Sequence, residues 1–139
     1  MKRILGLDYG EKRVGVALSD PLKIIASPYK VLKNINIEKL KDELKQLIKK
    51  KSVESIVIGL PIGLDGKDTI QTAKVRDFRS QISDLNVNIY FEDERFSSVI
   101  AIKSMIIEKI KTGHNKELID KRAAAIILQQ FLDKRKIAN

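Results

Sequence analysis

Ile4-Leu5-Gly6-Leu7-Asp8-Tyr9-Gly10-Glu11-Lys12-Arg13-Val14-Gly15-Val16-Ala17-Leu18-Ser19 opens the chain with two short apolar runs and a polar, glycine-bearing break between them. Residues 2–8 and 13–19 read as strands, and Tyr9-Gly10-Glu11-Lys12 as their hairpin turn, with Gly10 supplying the turn geometry. Asp8 closes the first run, so its carboxylate is expected at the rim of a sheet on a backbone held by the core. A rim carboxylate on a rigid strand suits a metal ligand. An aspartate there also suits hydrogen bonding to the turn, and this segment alone does not choose between the two.

Working outward, residues 24–32 form a third strand whose Pro28 suits an edge position. Asn36 is a candidate N-cap. Behind it Ile37, Leu40, Leu44, Leu47 and Ile48 recur at helical spacing, with Lys39, Lys41, Lys45, Lys49 and Lys50 mostly elsewhere, which predicts an amphipathic helix of about four turns. Residues 55–61 do not alternate and end at a Gly/Pro break, so they read as a strand buried on both faces. A helix over 69–85, a strand over 87–91 and helices over 97–111 and 115–136 complete the chain, the last two separated by Thr112-Gly113-His114. The order βββ, α, β, α, β, α, α predicts an α/β fold. Three antiparallel strands begin a five-stranded mixed sheet, parallel strands follow, and helices pack on its faces. Residues 1–139 are expected to form one domain.

Composition narrows the chemistry. The chain has no cysteine and one histidine, which excludes disulfides, thiolate catalysis and cysteine-based zinc sites. A metal would therefore be held mainly by oxygen, which suits Mg²⁺ or Mn²⁺. Lys and Arg number 27 against 18 acids, a formal charge of +9 with a pI near 9.7. That balance favours a polyanion such as nucleic acid, although lysine-rich composition alone produces the same figure. No apolar run approaches the roughly 20 residues that span a bilayer, so no membrane partner and a cytoplasmic location are expected.

Two further acidic positions stand out. Phe91-Glu92-Asp93-Glu94-Arg95 ends the fifth strand in three consecutive acids, a crowding that costs energy unless a cation offsets it. Alternation places Glu92 and Glu94 on one face and Asp93 on the other. In the last helix, the stripe Ala124, Ile127, Leu128 and Phe131 is headed by Asp120, a carboxylate on the core-facing side. A metal or nearby cation would keep it ionised; a first-turn acid favoured by the helix dipole is the plainer reading. Ala123, Ala124 and Ala125 let that helix approach the sheet closely, whereas Asp133 falls on the opposite side and reads as a surface acid. Carboxylates from two strand ends and a helix can bind one or two divalent ions for phosphodiester hydrolysis.

The stretch Gly-Leu-Asp-Tyr-Gly-Glu-Lys-Arg-Val-Gly-Val-Ala at 6–17 resembles the YqgF/RuvX family of precursor 16S rRNA nucleases and Holliday junction resolvase-like proteins. Further matching blocks follow in order: Gly59-Leu-Pro, Gln71-Thr-Ala-Lys-Val-Arg-Asp-Phe, Asp93-Glu94-Arg95-Phe96-Ser97-Ser98 and Ile119-Asp120-Lys-Arg-Ala-Ala. The resemblance covers essentially the whole chain. It implies a ribonuclease H-like fold, to which the order of elements also conforms, with a metal-binding catalytic site on Asp8, Glu94 and Asp120. Residue pattern reaches Asp8 and Asp120 independently; the resemblance selects Glu94, with Asp93 as the fallback.

One departure is the loop before the last helix, often densely basic in the family and here Lys109-Ile-Lys111-Thr-Gly-His114-Asn-Lys116. His114 is a candidate for leaving-group protonation, and equally a solvated loop histidine. Lys12, Arg13, Lys74, Arg76 and Arg95 lie in or near the matching blocks and are candidate phosphate contacts, with surface ion pairing as the competing role. Few aromatics and no tryptophan argue against a base-stacking platform. The expected function is a Mg²⁺- or Mn²⁺-dependent endonuclease, active as monomer or homodimer. Its implied substrate is structured RNA, at the 5' end of precursor 16S rRNA. A four-way DNA junction resolvase and a binding module without turnover are the alternatives, since a shape-reading basic surface serves either polymer. A sugar-kinase or Hsp70-like ATPase shares the strand-turn-strand opening but needs a second, similar domain.

Overall fold

The computed structural model describes residues 2–95 and 116–138. In chain order the elements are β1 (Arg3–Tyr9), β2 (Arg13–Ser19), β3 (Ala26–Lys33), α1 (Ile37–Lys50), β4 (Val53–Leu60), α2 (Ile70–Gln81), β5 (Asn88–Asp93) and α3 (Lys116–Ala138). The helix expected over 97–111, and His114 with its loop, lie outside the described residues.

Short turns join the first three strands, so β1 pairs with β2 and β2 with β3 antiparallel. Helical crossovers then lay β4 parallel against β1 and β5 parallel against β4, as such connections require. The sheet is five-stranded and mixed, in the order β3-β2-β1-β4-β5. β3 is an edge strand, and Pro28 falls where its register with β2 shifts, between Val16 and Ala17. A residue without an N–H is tolerated at such a place.

The interior strands are buried on both faces, which is why their sequences do not alternate. On one face Leu5, Leu7, Val14, Val16, Ile56 and Ile58 pack with Leu40, Leu44 and Leu47 of α1 and Val75 and Phe78 of α2. On the other, Ile4, Ala17 and Val57 pack with Ala123, Ala124, Ile127, Leu128 and Leu132 of α3. Asn36 caps α1 as expected, its Oδ1 accepting the Lys39 N–H at 2.8 Å. Thr69 and Thr72 cap α2 reciprocally.

Boundaries moved where local hydrogen bonding overrides periodicity. The expected helix to residue 85 ends at Gln81: Ile82 and Leu85 keep helical spacing and are buried, but they pack from a turn that closes at Asn86, with φ of 60°. The strand expected from residue 24 begins at Ala26, because Asp20 organises the preceding loop. Its carboxylate accepts the N–H groups of Leu22, Ile24 and Ile25 at 3.2, 2.7 and 2.8 Å.

α3 lies unusually close to the sheet. A Cβ built on Gly6 would stand 2.8 Å from Leu128 Cβ and 3.1 Å from the Ala124 carbonyl oxygen. At Gly15 it would stand 2.0 Å from the Asp120 carbonyl oxygen, a backbone atom that cannot swing aside. Glycine is required at Gly15 for this approach, and the small alanines of α3 complete it.

Two outcomes follow. Gly15→Ala forces α3 off the sheet and lowers the unfolding free energy by about 1–3 kcal/mol, read from urea denaturation. The backbone bonds to Ile25 and then Ile24 hold the Asp20 carboxyl below its ordinary value of 3.8. A group with a depressed folded pKa contributes stability fully above its unfolded pKa and loses it as pH falls through the folded one. The stability difference between wild type and Asp20→Ala is therefore largest at neutral pH and shrinks as pH drops below 3.8, measured by denaturation across pH 2–7.

Candidate active site

Asp8 pairs across the sheet with Gly15 of β2, and one step beyond the Leu7–Ile58 pair it comes beside Gly59 of β4. Leu5 and Leu7 belong to the α1/α2 face and Ile4 and Gly6 to the α3 face, so alternation puts Asp8 on the α3 face. It is 7% exposed there. Glu94 stands just past β5, its N–H donated to the Leu60 carbonyl at 3.2 Å. Its carboxylate, on a residue 6% exposed, lies directly over Gly59, with Oε1 2.5 Å from where a Cβ of that residue would be. The fold thus seats two buried carboxylates next to one another at the C-terminal rim of the parallel strands, the usual place for a site in such sheets.

Asp120 reaches the same rim from above. Its backbone caps Gly15, the partner of Asp8, and its carboxylate accepts from Arg13 Nε at 2.9 Å. The cation required beside that core-side carboxylate is therefore supplied by Arg13. Of the stripe it heads, Ala124, Ile127 and Leu128 are at most 1% exposed, Phe131 is partly buried, and Asp133 is at the surface.

The three consecutive acids of β5 have separate fates. Glu92, buried, accepts from Gln130 Nε2 at 2.8 Å and Lys134 Nζ at 2.6 Å, and so fastens β5 to α3. Asp93 points the other way and is held by Arg95 through the backbone N–H and Nε, both at 2.8 Å. Burial raises the Asp93 carboxyl, but the Arg95 backbone bond, side-chain bond and charge outweigh it, leaving the group below its ordinary value. The fallback acid is thus engaged in a local pair.

Of the expected phosphate contacts, Arg13 pairs with Asp120, Lys74 with Glu11, Arg76 with Asp68 and Arg95 with Asp93, while Lys12 is exposed on the hairpin turn. The Lys74 hydrogen bond and charge hold the Glu11 carboxyl low. The Lys74–Glu11 and Arg76–Asp68 pairs join the turn, α2 and the 61–69 loop, while Arg95–Asp93 is local to the end of β5.

The donor set fits a hard divalent ion: two buried carboxylates share a rim, and a third acid sits beside them in an ion pair. Among the described residues no three acids or imidazoles stand close enough to share an ion as they are placed. Asp8 and Glu94 are seated at this rim by the sheet, and Asp120 is held at the adjoining helix head by Arg13.

Sequence pattern missed two contributors. Gly59 reads as a strand terminator, yet its missing side chain is the space that Glu94 and Ile127 Cδ1 occupy, the latter also 2.5 Å from a built Cβ. Arg13, a candidate phosphate contact with ion pairing as its competing role, is the partner of Asp120, a pairing between elements that no spacing within β2 encodes. Gly59→Ala is expected to displace the Glu94 carboxylate and cut nuclease turnover at least about tenfold, with the far-ultraviolet circular dichroism unchanged.

Comparison with known proteins identifies the family and the fold. The family model for RuvX, described as Holliday junction resolvase, matches residues 2–134. A relative from Desulforamulus reducens is 42% identical over 132 residues, covering 94% of this chain and 96% of its own length. One from Maridesulfovibrio salexigens is 39% identical over 131 residues, covering 94% and 97%. Both carry the name "Putative pre-16S rRNA nuclease". Thermus thermophilus RuvC in complex with a Holliday junction substrate superposes with a TM-score of 0.61 at 12% identity, over 98% of this chain and 96% of that one. The fowlpox virus Holliday junction resolvase gives 0.52 at 12%, over 95% and 99%. At such identities the structures speak for the fold alone, and that fold is the ribonuclease H-like one. With the family match running from residue 2 to residue 134 and these relatives aligned over nearly their full lengths, the chain belongs to the RuvX family.

Proposed function

We propose that this chain is a divalent-metal-dependent endonuclease that hydrolyses phosphodiester bonds of precursor 16S rRNA at its 5' end. The observation that carries the reading is the placement of Asp8 and Glu94, two buried carboxylates, side by side on the α3 face with Asp120 at the adjoining helix head. The family and the names of its curated relatives support both the reaction class and the polymer.

Asp8 and Glu94, with Asp120, are the residues that would hold Mg²⁺ or Mn²⁺. Such an ion, when bound, supplies an activated water and stabilises charge on the leaving oxygen. The chain's own part is positioning. β1 and the Leu60 hydrogen bond fix two carboxylates on rigid backbone, Gly59 leaves space for one of them, and α3 brings the third. Arg13 offsets the charge of Asp120 and stands next to the exposed Lys12, where a phosphate approaching the rim meets positive charge. The acids act as oxygen donors; no serine, cysteine or tyrosine nucleophile is needed.

A four-way DNA junction is the second substrate to consider, favoured by the description of the matching family. The two are separated by offering precursor 16S RNA and a four-way DNA junction side by side, with Mg²⁺ or with chelator. The expected result is RNA cleavage that chelator abolishes and that Asp8→Asn lowers by more than about a hundredfold, beyond the usual cost of losing a supporting contact around a metal. Cutting of the junction alone would transfer the assignment to DNA. An Asp8→Asn protein as active as wild type would remove Asp8 from the site.

A further inference from the structure

Away from the catalytic rim, the outer edge of the sheet and α1 enclose a groove of about 340 Å³. Its walls carry Lys30 and Lys33 from β3 and Lys39 and Lys50 from α1, opposed by a single acid, Glu43, and its floor is formed by the apolar Leu32 and Leu47. All four lysines are exposed.

The chain path makes this groove a track. β3 runs toward Lys33, the chain reverses through residues 34–36, and α1 returns alongside, so Lys33 and Lys39 lie at one end and Lys50 at the other. At the far end Lys51 follows, its Nζ 5.2 Å from the centre of the Tyr29 ring. The near end abuts the catalytic rim. Lys33 pairs with Arg13 across the sheet, the Asn34 N–H donates to the Lys12 carbonyl at 2.9 Å, and Asn34 Nδ2 donates to the Gly10 carbonyl at 2.8 Å. The groove therefore lies on the α1 face and Asp8 on the α3 face, and the hairpin turn that carries Lys12 joins the two at the end of the sheet. α1 is 14 residues long, about 21 Å at 1.5 Å per residue, enough to follow several phosphates of one strand.

Among the described residues, Arg13, Lys74, Arg76 and Arg95 each face an acid. The groove lysines face one. We infer that the β3/α1 groove is an extended binding surface for the sugar-phosphate backbone of the nucleic acid whose cleavage site lies at Asp8 and Glu94. The inference rests on the nuclease reading for the identity of the ligand, not for its test. The competing role for these side chains is to guard an exposed sheet edge against pairing with another chain, a common use of edge lysines.

The test is equilibrium binding of a labelled single-stranded RNA and a duplex of matched length, in chelator so that no turnover is involved, across a range of salt concentrations. The groove variant Lys30→Gln, Lys33→Gln, Lys39→Gln, Lys50→Gln changes only exposed residues. A charge-matched control takes Lys2→Gln, Lys45→Gln, Lys49→Gln and Arg135→Gln, also exposed and outside the groove. Each lost phosphate contact removes about 0.7–0.9 from the slope of log affinity against log salt. The groove variant should lose about 3 from the slope and at least about tenfold in affinity at moderate salt, with an unchanged melting temperature; the control should stay near wild type.

Slopes that fall equally in both variants would overturn the groove in favour of diffuse attraction, and an unaltered slope would leave the lysines as edge guards. Wild-type protein that binds neither polymer would overturn it too. If binding behaves as expected while Mg²⁺ elicits no cleavage, the groove stands and the nuclease reading falls.

Discussion

The close seating of α3 on the sheet is the constraint from which the site follows. Asp120 belongs to a helix more than a hundred residues away in sequence from Asp8, and it reaches the rim only because Gly15 presents no side chain beneath its carbonyl. Gly6 and the alanine run continue the same contact further along. Two interactions fasten the helix there: Arg13 with Asp120 at its head, and Glu92 with Gln130 and Lys134 further on. Packing sets the distance and the polar pairs set the register, so stability and site assembly rest on the same atoms.

The acids at the end of β5 show how one strand assigns different work to like residues. Glu92 and Glu94 share a face by alternation; Glu92 bonds to Gln130 and Lys134 of α3 and so ties two elements together. Asp93, on the other face, is occupied by Arg95. Glu94 lies over Gly59, whose missing side chain gives its carboxylate room. Burying like charges close together is costly unless a cation or proton intervenes, and the proposed metal site follows that rule.

Much of this was legible in the sequence. The glycine-broken apolar runs at 4–19 gave the hairpin, non-alternating runs gave the interior strands, and Pro28 marked the edge, because each depends on local chemistry that a few residues express. Asp8 and Asp120 were singled out by the same means, as acids terminating or heading apolar patterns. What remained hidden depends on pairs distant in sequence. Arg13 with Asp120, and Gly59 with Glu94, are relations between elements, and no spacing rule within one element encodes them. The end of α2 was misplaced for a related reason: Ile82 and Leu85 are buried at helical intervals, and burial rather than conformation is what periodicity records.

The net charge of +9 takes on a different meaning once positions are known. Averaged over the surface it suggests only attraction to a polyanion. Among the described residues, Arg13, Lys74, Arg76 and Arg95 are each paired with an acid, and these pairs help to hold the rim together. A protein that must recruit a polyanion to a cluster of acids faces repulsion at the point of reaction, and the attraction has to come from beyond it. The β3 edge meets that requirement: its lysines lie outside the ion pairs of the rim, yet the strand that carries them is hydrogen-bonded to the turn beside Asp8. Binding strength and catalytic geometry are thereby placed on adjoining but separate parts of one sheet, so neither has to be weakened for the other.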